Sequence, residues 1–147
     1  MGQYRLGRWR EVSLLLDTCA AIWLLDDAAF SDEAVGALDH ASDIGEPVYV
    51  SPITGWEIGL LAARGRSVLT MPPQVWFDRL LAVPGMQLAD LSPRILIAAS
   101  FLPGAPPRDP ADRIILATAR EGGFRLVTRD KHLLAYAEEG HIAAIAC

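Results

Sequence analysis

The sequence predicts an α/β protein, a three-layer α/β/α sandwich built on a mostly parallel central sheet. Two observations carry this prediction. Short apolar runs of strand length, at residues 12–16, 48–50, 86–91, 124–128 and 142–145, alternate with longer stretches whose apolar residues recur at helical spacing. The first run is continuous rather than alternating, which suits a parallel strand covered on both faces.

The elements follow in order. Residues 1–11 read as a polar, flexible N-terminal extension, and residues 12–147 as one domain. The run 12–16 ends at Asp17, and Thr18 is a plausible cap for a helix over 18–25. A second helix is expected over 31–44, closed by Gly45, ahead of the strand 48–50. Pro52 opens a helix that runs to about Arg64, where Gly65 stops it. Pro72-Pro73 starts a helix through Leu81, and residues 86–91 form the third strand. Ser92-Pro93 opens a helix to about Phe101, and the Pro/Gly-rich stretch 103–108 is a loop. Asp109 caps a helix with Pro110 at its first position and Gly122-Gly123 at its end. A strand over 124–128, a helix over 131–138 and a strand over 142–145 complete the alternation.

Composition narrows the class. At 147 residues, 52% hydrophobic and 21% charged, the chain can bury one sizeable core. No apolar stretch approaches the roughly 18 residues that span a bilayer, and no signal-peptide core follows Arg5, Arg8 and Arg10. A soluble cytoplasmic protein is expected. Cys19 and Cys147 form neither a disulfide framework nor a zinc spacing, and Cys19 reads as a small buried hydrophobe. A net charge of −5 argues against a surface built for sequence-independent nucleic-acid binding, but acids gathered around cations would account for part of it.

Four acids stand out against that frame. Asp17 directly follows the first strand and Asp130 lies two residues past the strand 124–128, at the carboxyl ends where open parallel sheets place their sites. Either alone is as well explained as a turn or cap residue. Glu57 lies within a helical stripe of Ile53, Leu60 and Leu61, where a carboxylate is costly unless paired or bound to metal. Asp112 sits in the first turn of its helix, favoured there by the helix dipole, above Ile115, Leu116 and Ala119. Asp109 is explained mainly by capping. Four carboxylates cannot ionise together without counter-charge, and oxygen-only ligands suit a hard ion such as Mg²⁺ or Mn²⁺. His40, His132 and His141 are scattered and make no zinc set.

The segments around these acids are Leu-Leu-Leu-Asp-Thr at 14–18, Ser-Pro-Ile-Thr-Gly-Trp-Glu-Ile at 51–58, Arg-Asp-Pro-Ala-Asp-Arg-Ile-Ile-Leu-Ala-Thr-Ala at 108–119 and Leu-Val-Thr-Arg-Asp at 126–130. In this order the chain resembles PIN-domain proteins, and more narrowly the VapC toxins of bacterial toxin–antitoxin pairs. The resemblance implies a PIN-like nuclease domain, cleavage of single-stranded RNA with a divalent metal, and a cognate antitoxin. It implies that Asp17, Glu57, Asp112 and Asp130 are the catalytic and metal-binding acids, with Thr18, Thr128 and Asp109 supporting them. Similar proteins often carry lysine where Leu61 stands and histidine where Pro107 stands, so the resemblance leaves open which basic residues hold the RNA here. Arg64, Arg66, Arg113 and Arg129 are the candidates, with Lys131 a weaker one. A homodimer is also expected. Trp23, Leu24, Trp76 and Phe77 could serve a partner surface but read mostly as core.

Two other enzyme classes place an aspartate after their first strand. A haloacid-dehalogenase-like phosphatase needs a second aspartate where Cys19 stands, and a receiver domain needs an acidic pair ahead of Asp17, where Ser-Leu-Leu-Leu is found. The non-enzyme alternative is an inactive PIN-like module that binds RNA or a protein, which would be expected to have a broken acidic set.

Overall fold

The computed structural model describes residues 13–66 and 69–147, so the extension assigned to residues 1–11 and the start of the first run at Val12 lie outside the described residues. The elements are β1 (Leu14–Leu16), α1 (Thr18–Leu25), α2 (Asp32–Asp43), β2 (Val48–Val50), α3 (Ile53–Ala63), α4 (Pro73–Ala82), β3 (Met86–Leu88), α5 (Pro93–Ser100), α6 (Pro110–Gly122), β4 (Arg125–Thr128), α7 (Lys131–Glu138) and β5 (Ala143–Ala146).

The strands form one parallel sheet in the order β3-β2-β1-β4-β5. β1 is central, paired through Leu14↔Val48 on one side and Leu14↔Arg125 on the other. Its three leucines are fully buried, as a strand covered on both faces requires.

Period-two alternation divides the core between the faces. Leu14, Leu16, Val50, Val127 and Ile145 pack with Ile22, Ile58, Trp76 and Leu80 of α1, α3 and α4. Leu15 and Leu126 pack on the opposite face with Ile95, Ile115, Leu116, Leu133 and Tyr136 of α5, α6 and α7. The predicted three-layer sandwich is therefore present, and it sets the carboxyl ends of β1, β2 and β4 side by side.

Three local expectations are corrected. Asp17, not Thr18, caps α1: its side chain accepts from the Ala20 amide, while Thr18 is already helical. β3 ends at Leu88 rather than 91, because the chain leaves the sheet after the Ala89 amide bonds the Val50 carbonyl at 2.8 Å. Cys19 is exposed, not buried, because α1 turns Thr18, Ala20, Ala21 and Ile22 inward and leaves Cys19 outside. The core reading of Trp76 holds, and Trp23, Leu24 and Phe77 pack partly buried against the same cluster. Gly123 closes α6 in the left-handed region, φ 69°, as the Gly122-Gly123 pair predicts.

Candidate active site

Each acid is placed by a different element. Asp17 leaves the end of β1 with its amide bonded to the Val127 carbonyl of β4 at 3.1 Å. Its Oδ1 accepts from the Ala20 amide at 2.7 Å and its Oδ2 from the Thr128 hydroxyl at 2.5 Å. The side chain is nearly buried, so desolvation raises its pKa above the usual carboxylate value; the Thr128 and Ala20 bonds oppose this, and the Asp130 charge adds to it.

Asp130 caps α7, its Oδ1 accepting from the His132 and Leu133 amides at 2.7 and 3.1 Å. Its own amide donates to Thr128 Oγ1 at 3.0 Å, the same hydroxyl that donates to Asp17. One threonine thus couples the ends of β1 and β4.

Glu57 lies in the middle of α3, one turn past the buried Thr54. Its Oε1 accepts from the Thr18 hydroxyl at 2.5 Å, and Thr18 Oγ1 lies 3.0 Å from Thr54 Oγ1. Burial raises the Glu57 pKa, the Thr18 bond lowers it, and the charges of Asp109 and Asp17 raise it again. Pro52 offers no side-chain cap to α3, and Ser51 Oγ accepts the Ile53 amide instead at 3.1 Å.

Asp112 stands in the first turn of α6, its amide donating at 3.0 Å to Oδ1 of the capping Asp109. Desolvation first, then the charges of Asp109, Asp130, Glu57 and Asp17, push its carboxyl up to about 7. Asp112 therefore senses every other acid singled out from the sequence. Asp109 caps, as expected, and its charge also reaches Glu57 and Asp112.

Among the described residues, the charged neighbours that move Asp17, Glu57 and Asp112 are all carboxylates, with no arginine or lysine offsetting them. A cluster of oxygen donors that repel one another fits a hard divalent cation in chemistry. Among the described residues, no three His, Cys, Asp or Glu side chains converge closely enough to cage an ion as they stand. Cys19 borders the cluster, and desolvation followed by the charges of Asp17, Glu57 and Asp130 pushes its thiol up to about 11, so it stays protonated.

The basic residues divide into two kinds. Arg113 donates through Nε to the Ala99 carbonyl at 2.8 Å and through Nη1 to the Pro107 carbonyl at 3.3 Å, tying α6 to α5 and the preceding loop. Arg129 donates through Nε to the Cys147 carbonyl at 3.0 Å, and its guanidinium carbon lies 3.0 Å from the Trp23 ring centroid. Arg64 and Arg66 are exposed in the turn after α3, and Lys131 is exposed at the start of α7.

Thr54 escaped the sequence reading. The available signal was its position three residues before Glu57, one helical turn away, but a threonine in an apolar helix has no chemistry of its own to mark it.

Over residues 14–139 the chain matches the PIN domain family, a span that includes all four acids. The chain is a PIN-domain protein. This PIN domain is 34% identical over 122 residues to ribonuclease VapC22 of Mycobacterium tuberculosis, covering 82% of this chain and 89% of that protein. Among solved structures it resembles VapBC2 from Rickettsia felis bound to a fragment of its promoter DNA, with a TM-score of 0.63 and 14% identity over 90% of this chain and 97% of that one. It also resembles FitAcB from Neisseria gonorrhoeae, with a TM-score of 0.52 and 23% identity over 90% of this chain and 96% of that one. At those identities the structural likeness establishes the shared PIN fold.

Proposed function

We infer that this PIN domain is a Mg²⁺- or Mn²⁺-dependent endoribonuclease that cleaves single-stranded RNA and acts as the toxin of a VapBC-type pair. The observation that carries the reading is the electrostatics of Asp112. Its carboxyl is pushed up to about 7 by burial and by carboxylates at four other positions, and among the described residues no cation offsets them. The likeness to a ribonuclease supplies the substrate class.

In this reading Asp17, Glu57, Asp112 and Asp130 hold the metal. The bound ion supplies Lewis acidity, lowering the pKa of a water and offsetting charge on the phosphoryl oxygens. The chain's own residues supply orientation. Thr128 and the Ala20 amide fix both oxygens of Asp17, and Thr18 fixes Oε1 of Glu57. Among the described residues no hydrogen bond engages the Asp112 carboxylate, which leaves its oxygens open to the ion and to an attacking water. Asp109 supports α6 and adds negative charge. Phosphate contacts fall to the exposed Arg64 and Arg66, with Arg113 and Arg129 contributing only through donors the fold leaves open.

The reading includes a cognate antitoxin, motivated by the VapBC2 and FitAcB complexes, and a homodimer. Exposed Trp56, Ile97 and Phe101 provide apolar surface for protein contact. It places residues 12–147 in one nuclease domain of a cytoplasmic protein. Among the described residues no helix is long and apolar enough to cross a membrane.

The test is cleavage of an end-labelled single-stranded RNA by the purified chain with Mn²⁺, with EDTA, and with Asp17→Asn in its place. Cleavage that needs metal and disappears in Asp17→Asn is expected. Cleavage that survives either change would overturn the assignment, and RNA binding without cleavage would favour the inactive-module alternative. A small upstream reading frame encoding a DNA-binding protein that co-purifies with the chain is the expected sign of the antitoxin.

A further inference from the structure

Thr54 bears on the metal site proposed above, and the role assigned to it here rests on that reading. It lies in the first turn of α3 and is fully buried. A buried threonine in a helix ordinarily returns its hydroxyl to a carbonyl of its own helix, as Thr118 does to Ile114 O at 2.8 Å. Thr54 instead reaches across 36 residues of sequence to Thr18 Oγ1, at 3.0 Å.

A hydroxyl carries one proton. That of Thr18 is committed to Glu57 Oε1, so the proton between the two threonines belongs to Thr54. The contacts form a one-way chain in which Thr54 donates to Thr18 and Thr18 donates to Glu57. The other side of the site repeats the design, the Asp130 amide donating to Thr128 and Thr128 to Asp17. There the head of the chain is a backbone N–H held by the fold. Here it is a side chain, and a substitution can remove it.

We propose that Thr54 is a positioning residue for Glu57, aiming and polarising the Thr18 hydroxyl so that the carboxylate is held in one orientation before a cation binds. Donors in series strengthen one another in a low-dielectric interior, and groups that orient metal ligands from behind commonly govern metal affinity. Without Thr54 the Thr18 hydroxyl loses the contact that fixes its rotor, and Glu57 is freed to turn.

The test compares Thr54→Ser with Thr54→Ala by Mn²⁺ binding to the RNA-free protein, read from the spin-resonance signal of unbound Mn²⁺. Both variants lose the γ-methyl, so a difference between them belongs to the hydroxyl. Thr54→Ser should bind Mn²⁺ like the parent and Thr54→Ala roughly tenfold more weakly, with a matching loss of the metal-induced rise in melting temperature. Equal binding by the two variants overturns the role. A second arm places each change in a Thr18→Val background. If Thr54 acts through Thr18, the two double variants should bind alike; a further loss specific to Ala there would also overturn it. Asp17→Asn is the reference. Parent-like Mn²⁺ binding by Asp17→Asn defeats the metal-site reading itself, whereas loss in Asp17→Asn with no Ser/Ala difference defeats only the role of Thr54.

Discussion

Thr128 donates its hydroxyl to Oδ2 of Asp17 at 2.5 Å across 111 residues of sequence. The bond exists because β1 and β4 are neighbours in the sheet, with Leu16 opposite Val127. It holds a nearly buried carboxylate in place beside Asp130, whose charge acts on it.

Thr128→Val should cost about 1.5–3 kcal/mol, the range for a hydrogen bond to a charged group. Chemical denaturation reads that loss, and RNA cleavage should fall with it. Thr128→Ser should recover most of both. Unchanged stability in the valine variant would mean that the bond does not hold Asp17.

The acids should make the metal-free fold less stable as pH rises. Asp112 has an ordinary pKa of 3.8 when unfolded and one near 7 when folded. Between those values the folded state holds more protons, so unfolding free energy falls with increasing pH. Asp17 and Glu57, also raised, act in the same direction. In EDTA the melting temperature should therefore be higher at pH 5 than at pH 8, and Asp112→Asn should flatten the difference. A melting temperature that climbs through this window would contradict the assignment.

Millimolar Mn²⁺ at pH 8 should restore what repulsion removes. Stabilisation by a ligand that binds only the folded state grows with its concentration over Kd, about 2.7 kcal/mol at a hundredfold excess. Thermal melts with and without EDTA would show it, and in Asp17→Asn the shift should largely vanish.

Arg129 and Arg64 should behave differently when changed to alanine. Arg129 stacks on Trp23 and bonds the Cys147 carbonyl, so its loss should lower stability by about 0.5–1 kcal/mol, the range for an exposed cation–π contact. Its effect on the salt dependence of RNA binding should be small. Arg64 is exposed in the turn after α3, and Arg64→Ala should leave stability unchanged and shallow the salt slope by close to one contact. The reverse pattern in binding measured from low to moderate salt would reassign the RNA track.

Leu15→Ala should be the most damaging of these changes to the fold, by about 2–5 kcal/mol. The residue is fully buried in the central strand and faces α6 and α7 through Leu116 and Leu133. A urea midpoint within error of the parent would mean that this face collapses around the loss.

Much of this protein is determined locally, and that part is legible in the sequence. The run Leu14-Leu15-Leu16 can only be buried on both sides, and the Asp109-Pro110 start and Gly122-Gly123 end of α6 depend on neighbouring residues alone. The four acids stand out in the sequence for local reasons too: Asp17, Asp112 and Asp130 follow a strand or open a helix, and Glu57 interrupts the apolar stripe of its helix. Tertiary structure alone decided what those acids feel and which neighbours they use. Asp17 meets Thr128, and Glu57 meets Thr18 and through it Thr54, because parallel pairing brings the ends of separate strands together. The same packing engages Arg113 and Arg129 within the fold and turns Cys19 outward. Hydrogen bonds and desolvation depend on which groups share a few ångströms of space, and residues far apart in the chain share that space only after the sheet has formed.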